Sequence, residues 1–152
     1  MAGLLSKSKQ WEKNSVGIQT SIGEIELRFI EIALKELEIE PSKIMIEENE
    51  GHKRIYFYHS RVSKQLRDIC AREVHIFKKP DRLSSSYVAG MFDAAGHIRD
   101  GTVTMSPMTP SDTIMLGNLG IHTRGTMIAN ASRLVLLIKG HSIMLEKGLE
   151  RK

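Results

Sequence analysis

Residues 88–96 read Val88-Ala89-Gly90-Met91-Phe92-Asp93-Ala94-Ala95-Gly96, an apolar run with an Ala-Gly pair near its start and one acid inside it. With the serines before it, the run has the length of an apolar helix over residues 84–95. Ala89 and Gly90 share one turn, and side chains that small let a second helix backbone approach closely. The same pair stands at Ala2 and Gly3, because Met1-Ala2-Gly3-Leu4-Leu5 lies over Val88-Ala89-Gly90-Met91-Phe92. Two such notches imply two helices that meet along them.

The correspondence continues outward. Val16-Gly17-Ile18 matches Val103-Thr104-Met105, Leu37-Glu38-Ile39 matches Leu119-Gly120-Ile121, and Met45-Ile46 matches Met127-Ile128. Arg54-Ile55 over Arg133-Leu134, and Ser63 with Leu66 over Ser142 with Leu145, complete the register of an internal repeat. The second copy has a central helix shorter by about five residues. The expected halves are residues 1–80 and 81–152, each reading helix, strand, helix, hairpin, helix.

Ser21-Ile22-Gly23-Glu24 reads as a capping box. Behind it Ile25, Leu27, Phe29, Ile30, Ala33, Leu34 and Leu37 follow helical spacing until Pro41. Residues 43–48 and 53–59 alternate around Asn49-Glu50-Gly51, a hairpin signal with Ile44, Ile46, Ile55 and Phe57 on one face. Arg54, Tyr56 and Tyr58 take the other face. Residues 62–70 and 112–119 predict short helices, residues 98–106 a strand, and a last helix follows from Ser142. Residues 126–138 predict a second hairpin turning at Asn130-Ala131-Ser132. Its strand Leu134-Val135-Leu136-Leu137-Ile138 is apolar on both faces, which asks for another covering layer, so a homodimer through this hairpin is expected.

The 152 residues are 41% hydrophobic and 26% charged, with a formal net charge of +4, which fits a folded domain and not a disordered chain. The uncharged run over residues 83–92 falls far short of the ~20 apolar residues of a bilayer span. Residues 1–13 hold no signal-peptide-length apolar stretch, and the lone Cys70 makes neither an internal disulfide nor a cysteine zinc site. A cytoplasmic protein with no membrane partner is expected. His52, His59, His75, His97, His122 and His141 lack the spacing of paired metal ligands, and Gly117-Asn118-Leu119-Gly120 lacks the GK[ST] of a P-loop. Lys7, Lys9 and Lys13 make the start basic, whereas Glu38, Glu40, Glu47, Glu48 and Glu50 oppose phosphate.

Residues 88–96 resemble the nine-residue motif of the LAGLIDADG homing endonucleases, and Met1-Ala2-Gly3-Leu4-Leu5-Ser6-Lys7-Ser8-Lys9 resembles a worn copy of it. The order of elements resembles that family's αββαββα half, so the resemblance covers nearly the whole chain. It implies an α+β fold: a duplicated unit with two curved antiparallel sheets that form a saddle over DNA, around a central helix pair, in a pseudo-symmetric monomer. The first copy shows one strand where the family has two, the other being lost or hidden in residues 10–20.

The resemblance also implies that the acid before the last glycine of each motif holds Mg²⁺ at the scissile phosphates. Carboxylates suit that hard cation, and an in-line displacement needs metal-held oxygens on both its sides. The two positions here are Ser8 and Ala95, and neither side chain is a carboxylate. Asp93, the nearest acid, lies two residues earlier and about 200° around the helix, so it does not stand in. A rebuilt site would have to draw on Asp100 or Asp112. No catalytic residue is intact on this reading, and no cofactor is expected, with Mg²⁺ needed only if the chain is an active nuclease.

Strand alternation assigns nucleic-acid contacts to Gln19, to Lys43, Arg54, Tyr56 and Tyr58, and to Thr102, Thr104 and Ser106, with Arg99, Arg133 and Lys139 flanking. Arg and Gln read base edges, Thr meets a thymine methyl, and Lys meets phosphate. The expected function is homing-endonuclease-like binding of double-stranded DNA without cleavage. An active Mg²⁺-dependent endonuclease, a splicing helper that binds structured RNA, and a protein-interaction module are the competing readings.

Overall fold

The computed structural model describes residues 1–7, 14–146 and 148. At its centre two helices, α1 (Ala2–Ser6) and α5 (Arg82–Ala95), lie backbone against backbone. A Cβ placed on Gly3 would fall 2.0 Å from the Tyr87 carbonyl oxygen, and one on Gly90 would fall 2.8 Å from the Leu4 amide nitrogen. Only glycine fits at this crossing. Ala89 is buried beside it, and the partly buried Ala2 packs on the same core.

Each side of this pair carries an antiparallel sheet. The first has the order β1-β3-β2, from β1 (Ser15–Thr20), β3 (His52–Tyr58) and β2 (Met45–Asn49). The second has the order β4-β5-β7-β6, from β4 (Gly96–Arg99), β5 (Thr102–Met105), β7 (Met127–Ile128) and β6 (Thr123–Arg124). Val16, Ile18, Ile55 and Phe57 from the first sheet, and Val103, Met105 and Ile128 from the second, face a common core. The helices cover that side: α2 (Gly23–Glu31), α3 (Ser60–Ala71), α4 (Glu73–Ile76), α6 (Pro110–Asn118), α7 (Ala131–Ile138) and α8 (Ile143–Glu146). The opposite faces of both sheets carry most of the polar strand residues.

Several expectations change at this level. The predicted second hairpin exists only as the two-residue strands β6 and β7, and residues 131–138 form helix α7. Its apolar run is a helix face, with Leu134 and Ile138 in the core, so no doubly apolar strand is present to call for a dimer. Short apolar runs carry no period that separates a strand from a buried helix. Because α7 follows β7 as α3 follows β3, Arg133-Leu134 does not correspond to Arg54-Ile55, and Ser142 does not correspond to Ser63. Likewise β2 and β6 are the outer strands of their hairpins, which removes the match of Met45-Ile46 to Met127-Ile128.

The single strand expected over residues 98–106 is the hairpin β4–β5, turning through Asp100-Gly101 with both φ angles positive. The capping box at Ser21 is not formed. The strand β1 runs through Thr20, whose hydroxyl accepts the Ile22 amide at 3.0 Å, and α2 begins without a side-chain cap. Its last turn widens into a π-helical stretch at Ile32–Glu36. Of residues 10–20, where the first copy's other strand is expected, residues 10–13 lie outside the described residues and residues 15–20 are β1 itself. Among the described residues, no helix is long and apolar enough to cross a membrane.

Candidate nucleic-acid interface and helix junction

The open face of the first sheet is organised by register. Gln19 pairs with Arg54, which pairs with Glu47, and Gly17 pairs with Tyr56, which pairs with Met45. Because Gly17 has no side chain, Tyr56 lies close over it; a Cβ there would sit 2.6 Å from that of Tyr56. The Arg54 guanidinium stands 4.3 Å from the centre of the Tyr56 ring, and Tyr58 meets the same ring edge-on at 5.7 Å. The Tyr56 hydroxyl donates to Glu47 at 2.6 Å, and Glu47 also lies 3.7 Å from the Arg54 guanidinium. Tyr56, 7% exposed, is therefore covered by the Arg54 guanidinium and the Tyr58 ring. Gln19 and Tyr58 are exposed beside it.

On the second sheet, one row crosses all four strands: His97, Thr104, Met127 and Arg124. Arg99 and Thr102 form the next row outward, with Ser106 exposed just past β5. His97 and Arg124 were not among the expected contacts. The Asp-Gly pair at residues 100–101 is the strongest short hairpin signal, and it would have placed His97 and Arg99 on one face. Three expected contacts lie off the strand faces. Lys43 ends the 3₁₀ turn Pro41–Lys43, Arg133 belongs to α7, and Lys139 caps the end of that helix.

The junction of α1 and α5 holds a buried polar cluster. Lys7, the C-cap of α1, is buried and ion-paired with Asp112 at the start of α6, and its Nζ also donates to the Pro107 carbonyl at 2.6 Å. Lys7 is thus withdrawn from the basic surface expected near the start of the chain. Asp112 completes a capping box with Thr109, accepting that residue's amide at 3.0 Å. Glu73, 2% exposed, accepts from the Tyr87 hydroxyl at 2.7 Å and the Ser111 hydroxyl at 2.9 Å. Burial, and then the neighbouring Asp112 carboxylate, push Glu73 up to about 7. Burial disfavours the charged form of Asp112, but hydrogen bonds from Glu73, Lys7 and the Thr109 amide outweigh it and hold its carboxyl below the usual range. Burial also pushes the Cys70 thiol up to about 11, which removes it as a nucleophile at neutral pH.

The acids near the motif are committed elsewhere. Asp93 is buried, accepts the Ser142 hydroxyl at 2.6 Å and takes the amides of Ile143 and Met144 at 3.0 Å, so it caps α8. Ala95 is buried, and its carbonyl accepts the Ser106 amide at 3.2 Å. Ser8 lies outside the described residues. Among the described residues, no group of three or more His, Cys, Asp or Glu could hold a metal ion. The described residues at the helix ends, Lys7, Asp93 and Ala95, therefore do not fit a divalent cation.

No family model and no curated protein matches the chain. Solved structures do. A variant of I-DmoI in complex with its target DNA in the presence of manganese superposes with a TM-score of 0.68 and 15% identity, covering 92% of this chain and 93% of that one. I-DmoI in complex with DNA and manganese gives 0.63 at 15% identity, over 92% and 96% of the two chains. A structure of mesophilic variants from the homing endonuclease I-DmoI gives 0.63 at 15%, over 90% and 93%. The chain has the LAGLIDADG homing-endonuclease fold. The similarity spans both sheets and the helix pair between them, while five residues in six differ; it is a likeness of architecture.

Proposed function

We propose that the chain binds double-stranded DNA across the open faces of its two sheets and does not cut it. The observation that carries this reading is the pair of polar faces: Gln19, Arg54 and Tyr58 on one, and His97, Arg99, Thr102, Thr104 and Arg124 on the other. They lie in a fold whose neighbours were captured on target DNA. Strands can enter the major groove, where Arg and Gln distinguish base pairs by bidentate hydrogen bonds. Arg54 suits that role because Tyr56 and Glu47 fix its guanidinium before any ligand arrives. Ala95 in place of a metal-holding acid, and Asp93 spent on capping α8, support the absence of cleavage.

Filter binding to random-sequence duplex across a salt series tests this. The log–log slope is expected to be distinctly negative, and replacing Arg99 and Arg124 together with Ala is expected to shrink it by about 1–2. A slope near zero in the native chain would remove the binding claim. Incubation of supercoiled plasmid with Mg²⁺ is expected to leave it intact, and nicking that follows the protein through purification would remove the non-cutting claim alone.

A further inference from the structure

The two sheets hold their cations differently. On the strands of the first sheet, Lys53 turns toward α2 and pairs with Glu26 at 3.4 Å, and Arg54 pairs with Glu47 at 3.7 Å. On the strands of the second, Arg99 and Arg124 are exposed and form no ion pair among the described residues. Glu47 ties three side chains together. One of its carboxylate oxygens accepts the Tyr56 hydroxyl at 2.6 Å, the other faces the Arg54 guanidinium, and that guanidinium lies 4.3 Å from the centre of the Tyr56 ring. The Glu47 side chain is 55% exposed and that of Arg54 is 24% exposed, so a ligand on this face meets a charge that is already balanced.

We propose that Glu47 is a specificity-determining residue: it cancels the charge of Arg54, which keeps that arginine off phosphate and leaves it for a base edge. The first sheet then contributes discrimination, while the unpaired Arg99 and Arg124 of the second supply the salt-dependent hold. This rests on the DNA-binding half of the proposed function and deepens it. The difference lies in what each ligand asks of Arg54. A phosphate is charged and competes with Glu47 for the guanidinium. A guanine edge is neutral, takes two N–H groups at O6 and N7, and leaves the ion pair standing. Phosphate contacts carry affinity without sequence information, so an arginine released to phosphate adds to the binding of any duplex and subtracts from discrimination. The Tyr56 ring, anchored through its hydroxyl on Glu47, gives the planar guanidinium a surface to lie against.

Two readouts on the full chain test this: the salt dependence of binding to random-sequence duplex, and the base preferences that the chain selects from a random duplex pool. Glu47→Gln keeps an oxygen for the Tyr56 hydroxyl and removes the charge. It is expected to steepen the log–log slope by about 1, as Arg54 moves to a phosphate. It is also expected to lose preference at one or two base pairs, the same ones that Arg54→Ala loses. Glu47→Gln that steepens the slope and keeps every preference would reduce Glu47 to a general repulsion of phosphate and overturn the proposal. An unchanged slope would overturn it as well. A native chain with a negative slope and no selected preference would overturn it and leave DNA binding standing. A native slope near zero removes DNA binding, and this assignment with it.

Discussion

At the scale of single residues, the helix crossing is a steric matter. The Tyr87 carbonyl leaves no space for a side chain at Gly3, so Gly3→Ala forces the helices apart at a cost of at least about 1–3 kcal/mol, the usual range for overpacking. A fall in Tm of roughly 5–10 °C is expected by calorimetry. Gly23→Ala is the control: nothing lies within 4 Å of a Cβ there, on the first turn of α2, so the melt should hold or rise. The Ala-Gly pairs were readable in the sequence because small residues announce close approach. Lys7 was not. A lysine at the end of a five-residue helix reads as solvated, and its partner Asp112 lies 105 residues further along the chain.

Elements differ in how openly they are written. The hairpin β2–β3 lies where its alternation predicts it, although all of β2 is exposed, Ile46 included, and α5 follows its apolar run. By contrast β6 and β7 have two residues each, too few to show a period of two, and α7 hides as a strand because its residues are apolar on every side but one. Elements also carry the pH dependence. Glu73 sits in α4 between Tyr87 of α5 and Ser111 of α6, and its folded pKa of about 7 stands above the ordinary value of 4.5 for a glutamate. The folded state therefore holds this proton more tightly, and the associated stability is complete below about pH 4.5 and lost as pH rises through 7. Denaturant titrations should show the native chain losing on the order of 2–3 kcal/mol between pH 5 and pH 8 through this group. Glu73→Gln, which keeps one acceptor oxygen and turns an amide N–H donor toward the other hydroxyl, should lose less over the same interval. An equal loss in both proteins would assign the pH dependence elsewhere. Asp112 has the opposite sign, but its lowered pKa acts below that window.

For the whole molecule, the core is common property. Leu4 and Leu5 pack in one cluster with Val88 and Phe92, and Lys7 of the first half depends on Asp112 of the second. A fragment of residues 1–80 made alone should give the circular dichroism and fast amide exchange of an unfolded chain, and mixing it with residues 81–152 should restore protected amides. A cooperative melt from the first fragment by itself would show that the halves are independent. The fold as a whole was legible because residues 88–96 resemble the nine-residue motif and the Ala-Gly pair of that stretch stands also at residues 2–3. The proposed contact surface was only partly so, since Arg54 and Arg99 follow from alternation, while Arg124 depends on a four-strand register that no local pattern records.

The bare-backbone crossing at Gly3 and Gly90 bears on how any long molecule is accommodated. With no side chain between them to repack, the two helices have no lubricated joint, and close-packed interiors resist both sliding and splaying. The span from one sheet to the other is therefore fixed before binding. On the proposed function, a duplex laid across both must do the bending itself, and steps that kink easily are then favoured even at base pairs that no side chain reaches.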